Sequence, residues 1–245
     1  MNEYRIALAG NPNTGKTTLF NALTGMHQHT GNWPGKTVAR ATGSYEFNQN
    51  TYQIVDLPGT YSLYANSVDE EVARDYILFE NPDVTIVIVD ATSMERNMNL
   101  ALQVLELTDR VVIAVNLMDE AARKGIQIDA EALRNLLGVP VIKISARDRT
   151  NFNSLLNAVE AIAVKREKTT PYQIKYADEI EKKIAELEPE VRASLGNRFP
   201  ARWIALRLID GDTNFIKSLE NYLTSETNQS RLDGVKEGKN HGISC

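Results

Sequence analysis

The chain has 245 residues, 42% of them hydrophobic, which is enough to bury one sizeable core domain and a smaller appendage. The net charge of −5 and the lack of clustered Lys and Arg argue against a nucleic-acid partner. Cys245 is the only cysteine, which excludes a disulfide framework and fits a reducing cytosol. The longest apolar run, 84–89, is too short to span a membrane, so we expect a soluble polypeptide.

The first motif lies at residues 10–17, which fit the pattern G-x-x-x-x-G-K-[ST] without a mismatch. A strand predicted at 4–9 precedes it and a helix predicted at 16–23 follows, which is the context that a phosphate-binding loop requires. Lys16 would add a point charge to the outer phosphates, and Thr17 would offer a hydroxyl to Mg²⁺. The predicted nucleotide contacts are Gly10, Asn11, Pro12, Asn13, Thr14, Gly15, Lys16, Thr17 and Thr18.

Residues 25–37 contain three glycines and a proline and show little periodicity, so we predict a long loop that acts as a switch. Thr37 would add a second hydroxyl to Mg²⁺ once a terminal phosphate is present, and Gly35 would lie beside the nucleotide. An ordinary threonine at the start of a strand is the alternative for Thr37. His27 and His29 have no carboxylate or cysteine near them in the sequence, and we assign them no role.

Two β-prone runs, 38–47 and 51–55, flank Asn48-Gln49-Asn50 and predict a hairpin. The second run leads into Asp56-Leu57-Pro58-Gly59, a D-x-x-G arrangement at the end of a strand. Asp56 would hold a water on Mg²⁺, and the Gly59 N–H would face the terminal phosphate. A β-turn is the alternative for an isolated D-x-x-G.

The next predicted elements are a helix at 69–79, a buried strand at 84–89, a helix at 94–108 and a buried strand at 111–115. Asn116-Leu117-Met118-Asp119 follows, and Asp119 can accept hydrogen bonds from the N1–H and exocyclic amine of guanine. Asn116 would tie this loop to the phosphate loop. A capping aspartate at a strand-to-helix junction is the alternative. After a strand at 140–144, the backbone of Ser145, Ala146 and Arg147 would reach the guanine oxygen.

The alternation of strands and helices predicts an α/β fold: a mixed, mostly parallel six-stranded sheet with helices on both faces and the ligand at the carboxyl ends of the strands. We place this nucleotide-binding domain at 1–166. Helical periodicity then predicts a small helical domain at 167–224, with a stripe at 176–187 and shorter helices at 191–195, 199–209 and 215–223. Residues 225–245 are polar and aperiodic, which predicts a flexible tail or linker.

The five motifs, in their usual order, resemble those of the P-loop GTPase superfamily. The loop at 31–37 and the run 56–63 more narrowly resemble FeoB, a family of ferrous iron transporters. The resemblance implies a GTPase that needs Mg²⁺, followed by a helical regulatory domain. It also implies that the chain lies on the cytosolic side of the bacterial cell membrane, joined to a membrane permease domain. Leu117 departs from the lysine of the fuller motif, and Lys36 replaces an apolar residue. Thr60 stands where Ras-like GTPases carry a water-orienting glutamine.

The resemblance also implies K⁺ activation, because Asn11 matches the asparagine of potassium-activated relatives. Its side-chain oxygen and the carbonyls of Gly31 and Trp33 would hold K⁺ where an arginine finger acts. The residues assigned to catalysis are Asn11, Lys16, Thr37 and Gly59. A stand-alone GTPase of the ribosome-assembly or tRNA-modification type, and an interaction module with negligible hydrolysis, are alternatives. A homo-oligomer, and whether GTP drives or gates transport, are left open.

Overall fold

A computed structural model describes residues 2–25, 28–64 and 67–225. The chain divides into two compact units, one up to Ala177 and one that begins at Asp178. No helix within the described ranges is both long and apolar enough to cross a membrane. The tail predicted at 225–245 lies, beyond its first residue, outside the described residues, as does His27.

The first unit is built on a seven-stranded sheet. Its strands are β1 (Glu3–Gly10), β2 (Gln28–Asn32), β3 (Ala39–Phe47), β4 (Asn50–Asp56), β5 (Val84–Asp90), β6 (Val111–Asn116) and β7 (Val141–Lys143). They lie in the order β2-β3-β4-β1-β5-β6-β7, with β1 parallel to β4 and β5 and the pairs β2–β3 and β3–β4 antiparallel. Leu8 lies opposite Asp56 on one side and Ile86 on the other. This register brings the carboxyl ends of β1 and β4 to one edge of the sheet.

The helices of this unit cover both faces of the sheet. They are α1 (Lys16–Thr24), α2 (Val68–Asp75, continued by a π-helical turn, Tyr76–Glu80), α3 (Met94–Leu107), α4 (Met118–Arg123), α5 (Ala130–Leu137) and α6 (Phe152–Ala163). On one face, Leu19 of α1 and Leu155 of α6 are buried in a cluster with Leu8. Alternate strand residues such as Ala7 and Val87 are buried too, on the face that α3 contacts. The predicted α/β class with helices on both faces is confirmed.

The sheet has seven strands and not the predicted six, because β2 forms within the segment 25–37, which we predicted to be a structureless loop. Its residues 28–32 pair antiparallel with β3, and Gly31 lies opposite Arg40. The side chains of residues 29–32 are exposed, so over these residues the edge strand has no buried face, and its backbone pairs with β3. A strand without a buried face has no alternation of apolar and polar residues for sequence reasoning to find. Helices α4 and α5 were not predicted either.

The second unit is helical and contains α7 (Asp178–Leu195), α8 (Ala201–Asp210) and a helix, α9, over 213–225. The separate helix predicted at 191–195 is wrong, because α7 runs through Pro189 to Leu195 without a break. Ile184 and Val191 are both buried on its inner face, and this continued burial offsets the hydrogen bond that proline removes. Residues 167–177, which we predicted to be part of the helical domain, belong to the first unit.

Candidate functional site

The phosphate-binding loop joins β1 to α1 and ends in a left-handed turn. Gly15 is the N-cap of α1 at φ 82°, and no side chain caps the helix. A Cβ at Gly15 would lie 2.3 Å from the Asn116 Nδ2 atom, so both the backbone angle and the space require glycine. The Thr14 hydroxyl donates a 2.9 Å hydrogen bond to the Asn11 carbonyl oxygen and closes the loop. The uncapped N–H groups of α1, next to exposed Thr17, are therefore available to an anion.

Lys16 and Asp56 meet directly in front of this helix start. The Lys16 ammonium donates a hydrogen bond to Asp56 Oδ1, and the two side chains are only 11% and 13% exposed. Burial raises the pKa of the Asp56 carboxyl above its ordinary value of 3.8, while the Lys16 charge acts in the opposite direction. A buried carboxylate of this kind has the hard oxygen donors that Mg²⁺ prefers. The pair thus places one cation and one anion at the helix start, each neutralised by the other.

The D-x-x-G segment lies against the phosphate-binding loop. The Leu57 N–H donates to the Leu8 carbonyl oxygen at 3.0 Å, and the Thr60 N–H donates to the Gly10 carbonyl oxygen at 3.3 Å. Gly59 lies between these two contacts, with its Cα facing Pro12. Two loops that are far apart in the sequence are therefore held edge to edge where the phosphates would lie.

Asn116 connects three of the predicted motifs. Its Nδ2 donates to the Thr14 carbonyl oxygen at 2.9 Å, and its Oδ1 accepts from the Ala146 N–H at 2.9 Å. The side chain is 1% exposed and makes both contacts from one amide. The phosphate loop, the 116–119 loop and the 145–147 loop are consequently fixed relative to one another, as a base pocket next to a phosphate site requires.

Asp119 lies at the start of α4 with its carboxylate partly exposed. Its Oδ1 lies 3.3 Å from the Ser145 hydroxyl oxygen, whose shorter hydrogen bond, at 2.9 Å, is to Asp148 Oδ2. The Asp119 Oδ2 lies 3.4 Å from the Arg123 guanidinium. The preceding Leu117 adopts a left-handed φ of 62° and places its side chain beside Gly15. Arg147 is exposed. The carboxylate and the aliphatic side chain thus frame the space beside the phosphate loop.

Residues 33–37 of the predicted switch loop contact α2 and the π-helical turn that continues it. Trp33, 9% exposed, packs edge-on against Tyr76 with ring centroids 5.4 Å apart, and the Arg40 guanidinium lies 4.9 Å from its ring. The Lys36 ammonium pairs with Glu71 of α2 at 2.9 Å. Thr37 is exposed. Of the predicted site residues in this segment, Trp33 thus contacts Tyr76 and Arg40, whereas Gly31, Gly35 and Thr37 are exposed.

Asn11 is a polar residue of the phosphate loop whose side chain is buried without hydrogen bonds. It is 2% exposed, and neither its Oδ1 nor its Nδ2 has a hydrogen-bond partner. A buried amide without a partner costs free energy, so such groups commonly face a ligand. Sequence reasoning missed the polar side chains of α3 that contact the 60–63 segment. Their signal was a pair of amides four residues apart on one face of the predicted helix, Asn99 and Gln103.

The fold and this site define a P-loop GTPase domain followed by a helical unit. Residues 4–159 match the family model described as ferrous iron transport protein B, and residues 176–239 match the FeoB cytosolic helical domain. The chain therefore belongs to the ferrous iron transport protein B family and represents its N-terminal cytosolic portion.

Individual relatives agree with this assignment. The chain is 43% identical over 212 residues to the Fe(2+) transporter FeoB of Methanocaldococcus jannaschii, covering 86% of this chain and 31% of the relative. The chain thus spans less than a third of that protein. The cytosolic domain of T. maritima FeoB in its apo form superimposes with a TM-score of 0.81 at 35% identity, covering 89% of this chain and 86% of that one. The T. maritima domain is also known in GDP and GMPPNP forms.

Proposed function

We propose that the chain binds GTP and hydrolyses it to GDP and phosphate, as the regulatory part of a ferrous iron transporter. The observation that carries the proposal is the Lys16–Asp56 contact in front of the uncapped start of α1. Phosphates entering there give Lys16 a new partner and release the Asp56 carboxylate. The GDP and GMPPNP forms of the T. maritima relative support guanine nucleotides as the ligand.

The chain's own groups bind and orient the reactants. The first N–H groups of α1 and the Lys16 ammonium hold the β and γ phosphates, and the Gly59 N–H faces the γ-phosphate. Water attacks the γ-phosphorus, the bond to the bridging oxygen breaks, and GDP leaves. Phosphoryl transfer of this kind depends on positioning and electrostatic stabilisation, so no general base is assigned. Thr17, Thr37 and Asp56 would hold Mg²⁺, which would neutralise phosphate charge.

We also propose that K⁺ activates the reaction through Asn11. The buried Asn11 amide, with no partner on either polar atom, supports a ligand at this position. The Trp33 carbonyl oxygen at present accepts from the Lys36 N–H at 3.0 Å, and Gly31 lies within β2. For K⁺ to bind there, the Trp33 carbonyl would therefore exchange this hydrogen bond for the cation. K⁺ would supply positive charge where an arginine finger acts in other GTPases.

The proposed link to iron transport comes from the relatives of this chain. The relatives are transporters three to four times longer than the matched region, so the iron permease would lie in the remainder of such a chain. Nucleotide-dependent movement of the switch segments would gate or drive Fe²⁺ uptake there. Membership of the family favours this role over a stand-alone GTPase of the ribosome-assembly or tRNA-modification type.

Single-turnover hydrolysis tests the enzymatic part. The chain, in excess over GTP with Mg²⁺ and K⁺, should convert GTP to GDP and phosphate, and Lys16→Ala should lose that activity. The exposed substitution Lys165→Ala, far along the chain from the phosphate loop, serves as the charge-matched control. Tight GTP binding without any conversion would instead identify an interaction module and refute the enzyme.

A further inference from the structure

Helix α3 presents a row of polar side chains to the segment that directly follows Gly59. The Asn99 Nδ2 donates to the Tyr61 carbonyl oxygen at 3.3 Å, and the Gln103 Oε1 accepts from the Leu63 N–H at 2.6 Å. The Arg96 guanidinium lies 4.4 Å from the Tyr61 ring centroid. Three side chains along about two turns of one helix therefore contact a segment of three residues.

Gln103 is the buried member of this row. It is 5% exposed, between neighbours such as Val104 that are fully buried, and its Nε2 donates to Asn99 Oδ1 at 3.4 Å. An amide placed in an apolar core costs free energy unless both of its polar ends find partners. Packing alone would be served as well by a side chain of the same size without polar atoms. The hydrogen bond to the Leu63 backbone is therefore the specific contribution of Gln103.

The other end of the same segment is attached to the phosphate loop. The Thr60 N–H donates to the Gly10 carbonyl oxygen at 3.3 Å. Leu63, which Gln103 holds, is itself only 4% exposed, so its N–H has no access to solvent as a substitute partner. Residues 60–63 are thus held at one end by the phosphate loop and at the other by α3. The direction of the Gly59 N–H depends on both attachments.

We propose that Gln103 is a positioning residue for GTP hydrolysis, acting through Leu63 to hold Gly59 and Thr60 against the γ-phosphate. The inference rests on the proposed function. The Thr60 side chain has no amide to orient the attacking water, so the site depends on backbone groups of this segment. A shift of about 1 Å in such a group costs up to ~100-fold in rate. Gln103 acts at a distance from the reacting atoms and contacts neither nucleotide nor water.

Three variants on α3 separate positioning from stability. Gln103→Met keeps the volume and removes the acceptor, whereas Gln103→Glu keeps an acceptor for the Leu63 N–H. We expect the methionine variant to lower the single-turnover rate about 10- to 100-fold and to leave GDP affinity within about twofold. The glutamate variant should retain most of the rate. Val104→Ala, a cavity-forming change on the same helix, should lower thermal stability and leave the rate unchanged.

Amide exchange gives a readout that is independent of activity. The Leu63 N–H should exchange faster in Gln103→Met than in the wild type and in Val104→Ala, with GDP bound in each case. The inference would be overturned if Gln103→Met hydrolysed GTP as fast as an active wild type. It would also be overturned if the methionine and glutamate variants lost the same amount of rate. A wild type that fails to hydrolyse GTP would overturn the proposed function and this inference with it.

Discussion

The Asn116 side chain donates a 2.9 Å hydrogen bond to the Thr14 carbonyl oxygen, although the two residues are 102 positions apart in the chain. The same amide accepts from the Ala146 N–H, so one side chain fixes the phosphate loop relative to the base loops. Nucleotide binding should therefore depend on Asn116 through geometry as well as through any contact with the base.

Asn116→Ala should weaken GDP and GTP-analogue binding by a similar factor. Removing the amide leaves a buried carbonyl and a buried N–H without partners, which costs about 1–3 kcal/mol, or roughly 5- to 150-fold in affinity. Titrations with fluorescent GDP and with a non-hydrolysable GTP analogue measure both. The exposed Asn157→Ala on α6 is the matched control and should change neither. A loss confined to one nucleotide would contradict the bridging role.

Base selectivity should follow Asp119. Asp119→Asn replaces an acceptor of guanine N–H groups by a carboxamide, whose NH₂ can donate to the 2-oxo group of xanthine. The ratio of GTP to XTP affinity should fall by about 100-fold, since a mismatched buried polar group typically costs a few kcal/mol. Arg123→Ala, which removes the 3.4 Å ion pair and leaves the carboxylate, should keep the preference for GTP. A wild-type ratio in Asp119→Asn would refute the assignment.

The effect of Mg²⁺ on the affinity for a GTP analogue should depend on pH through protonation of the Asp56 carboxyl. Its pKa in the folded chain is raised above 3.8 by burial, so on acidification it takes up a proton at a higher pH than an ordinary aspartate. The proton bound to Asp56 favours the folded nucleotide-free chain, and that contribution is lost as the pH rises through the folded pKa. Mg²⁺ should increase the affinity for the GTP analogue only while Asp56 is a carboxylate. This increase should therefore disappear as the pH falls and Asp56 takes up its proton.

Lys16→Ala should shift this loss to higher pH, because the ammonium that lowers the pKa of Asp56 is removed. Titrations of the fluorescent analogue with and without Mg²⁺ between about pH 4.5 and 8 would measure the shift. Asp56→Asn has no proton to take up and should show a small Mg²⁺ effect at every pH. The same midpoint in the wild type and Lys16→Ala would show that the two groups are not coupled.

Trp33 should report movement of the switch loop. It packs against Tyr76 and below Arg40, and binding of a GTP analogue with K⁺ should draw residues 33–37 toward the phosphate loop. Its emission should shift to longer wavelength as its exposure rises. Trp203→Phe removes the only other tryptophan and isolates the signal. GDP alone should leave the spectrum unchanged, and identical spectra in all states would argue against a switch.

The sequence was sufficient to predict the parts of the site that depend on local geometry. The run from Gly10 to Thr17 carries its own turn residues, and the D-x-x-G at Asp56 follows a strand with clear apolar character. The strand β2 could not be predicted because exposed backbone pairing leaves no hydrophobic pattern. The continuity of α7 through Pro189 depends on burial of both halves of the helix, which is a tertiary effect.

The features of the site that the sequence did not predict are contacts between segments that are distant in the chain. The Gln103 contact with Leu63 joins residues 40 positions apart, and a single glutamine on a helix is far more often solvated than buried. Nor does the sequence indicate that Lys36 pairs with Glu71. This pair holds the switch loop toward α2, so the unexpected lysine beside Thr37 has a partner.

Potassium should accelerate GTP hydrolysis well beyond sodium at equal ionic strength. The Asn11 amide is buried without a partner, and a cation bound to its oxygen beside the phosphates would neutralise charge that develops in the transition state. An arginine in the same role is worth roughly 10³-fold or more. Asn11→Ala should abolish the difference between KCl and NaCl and largely spare GDP binding, whereas Asn13→Ala, exposed in the same loop, should keep it. Equal rates in the two salts would refute a cation at this position. A potassium effect that persists in Asn11→Ala would place the cation elsewhere, because that variant lacks the side-chain oxygen proposed to bind it.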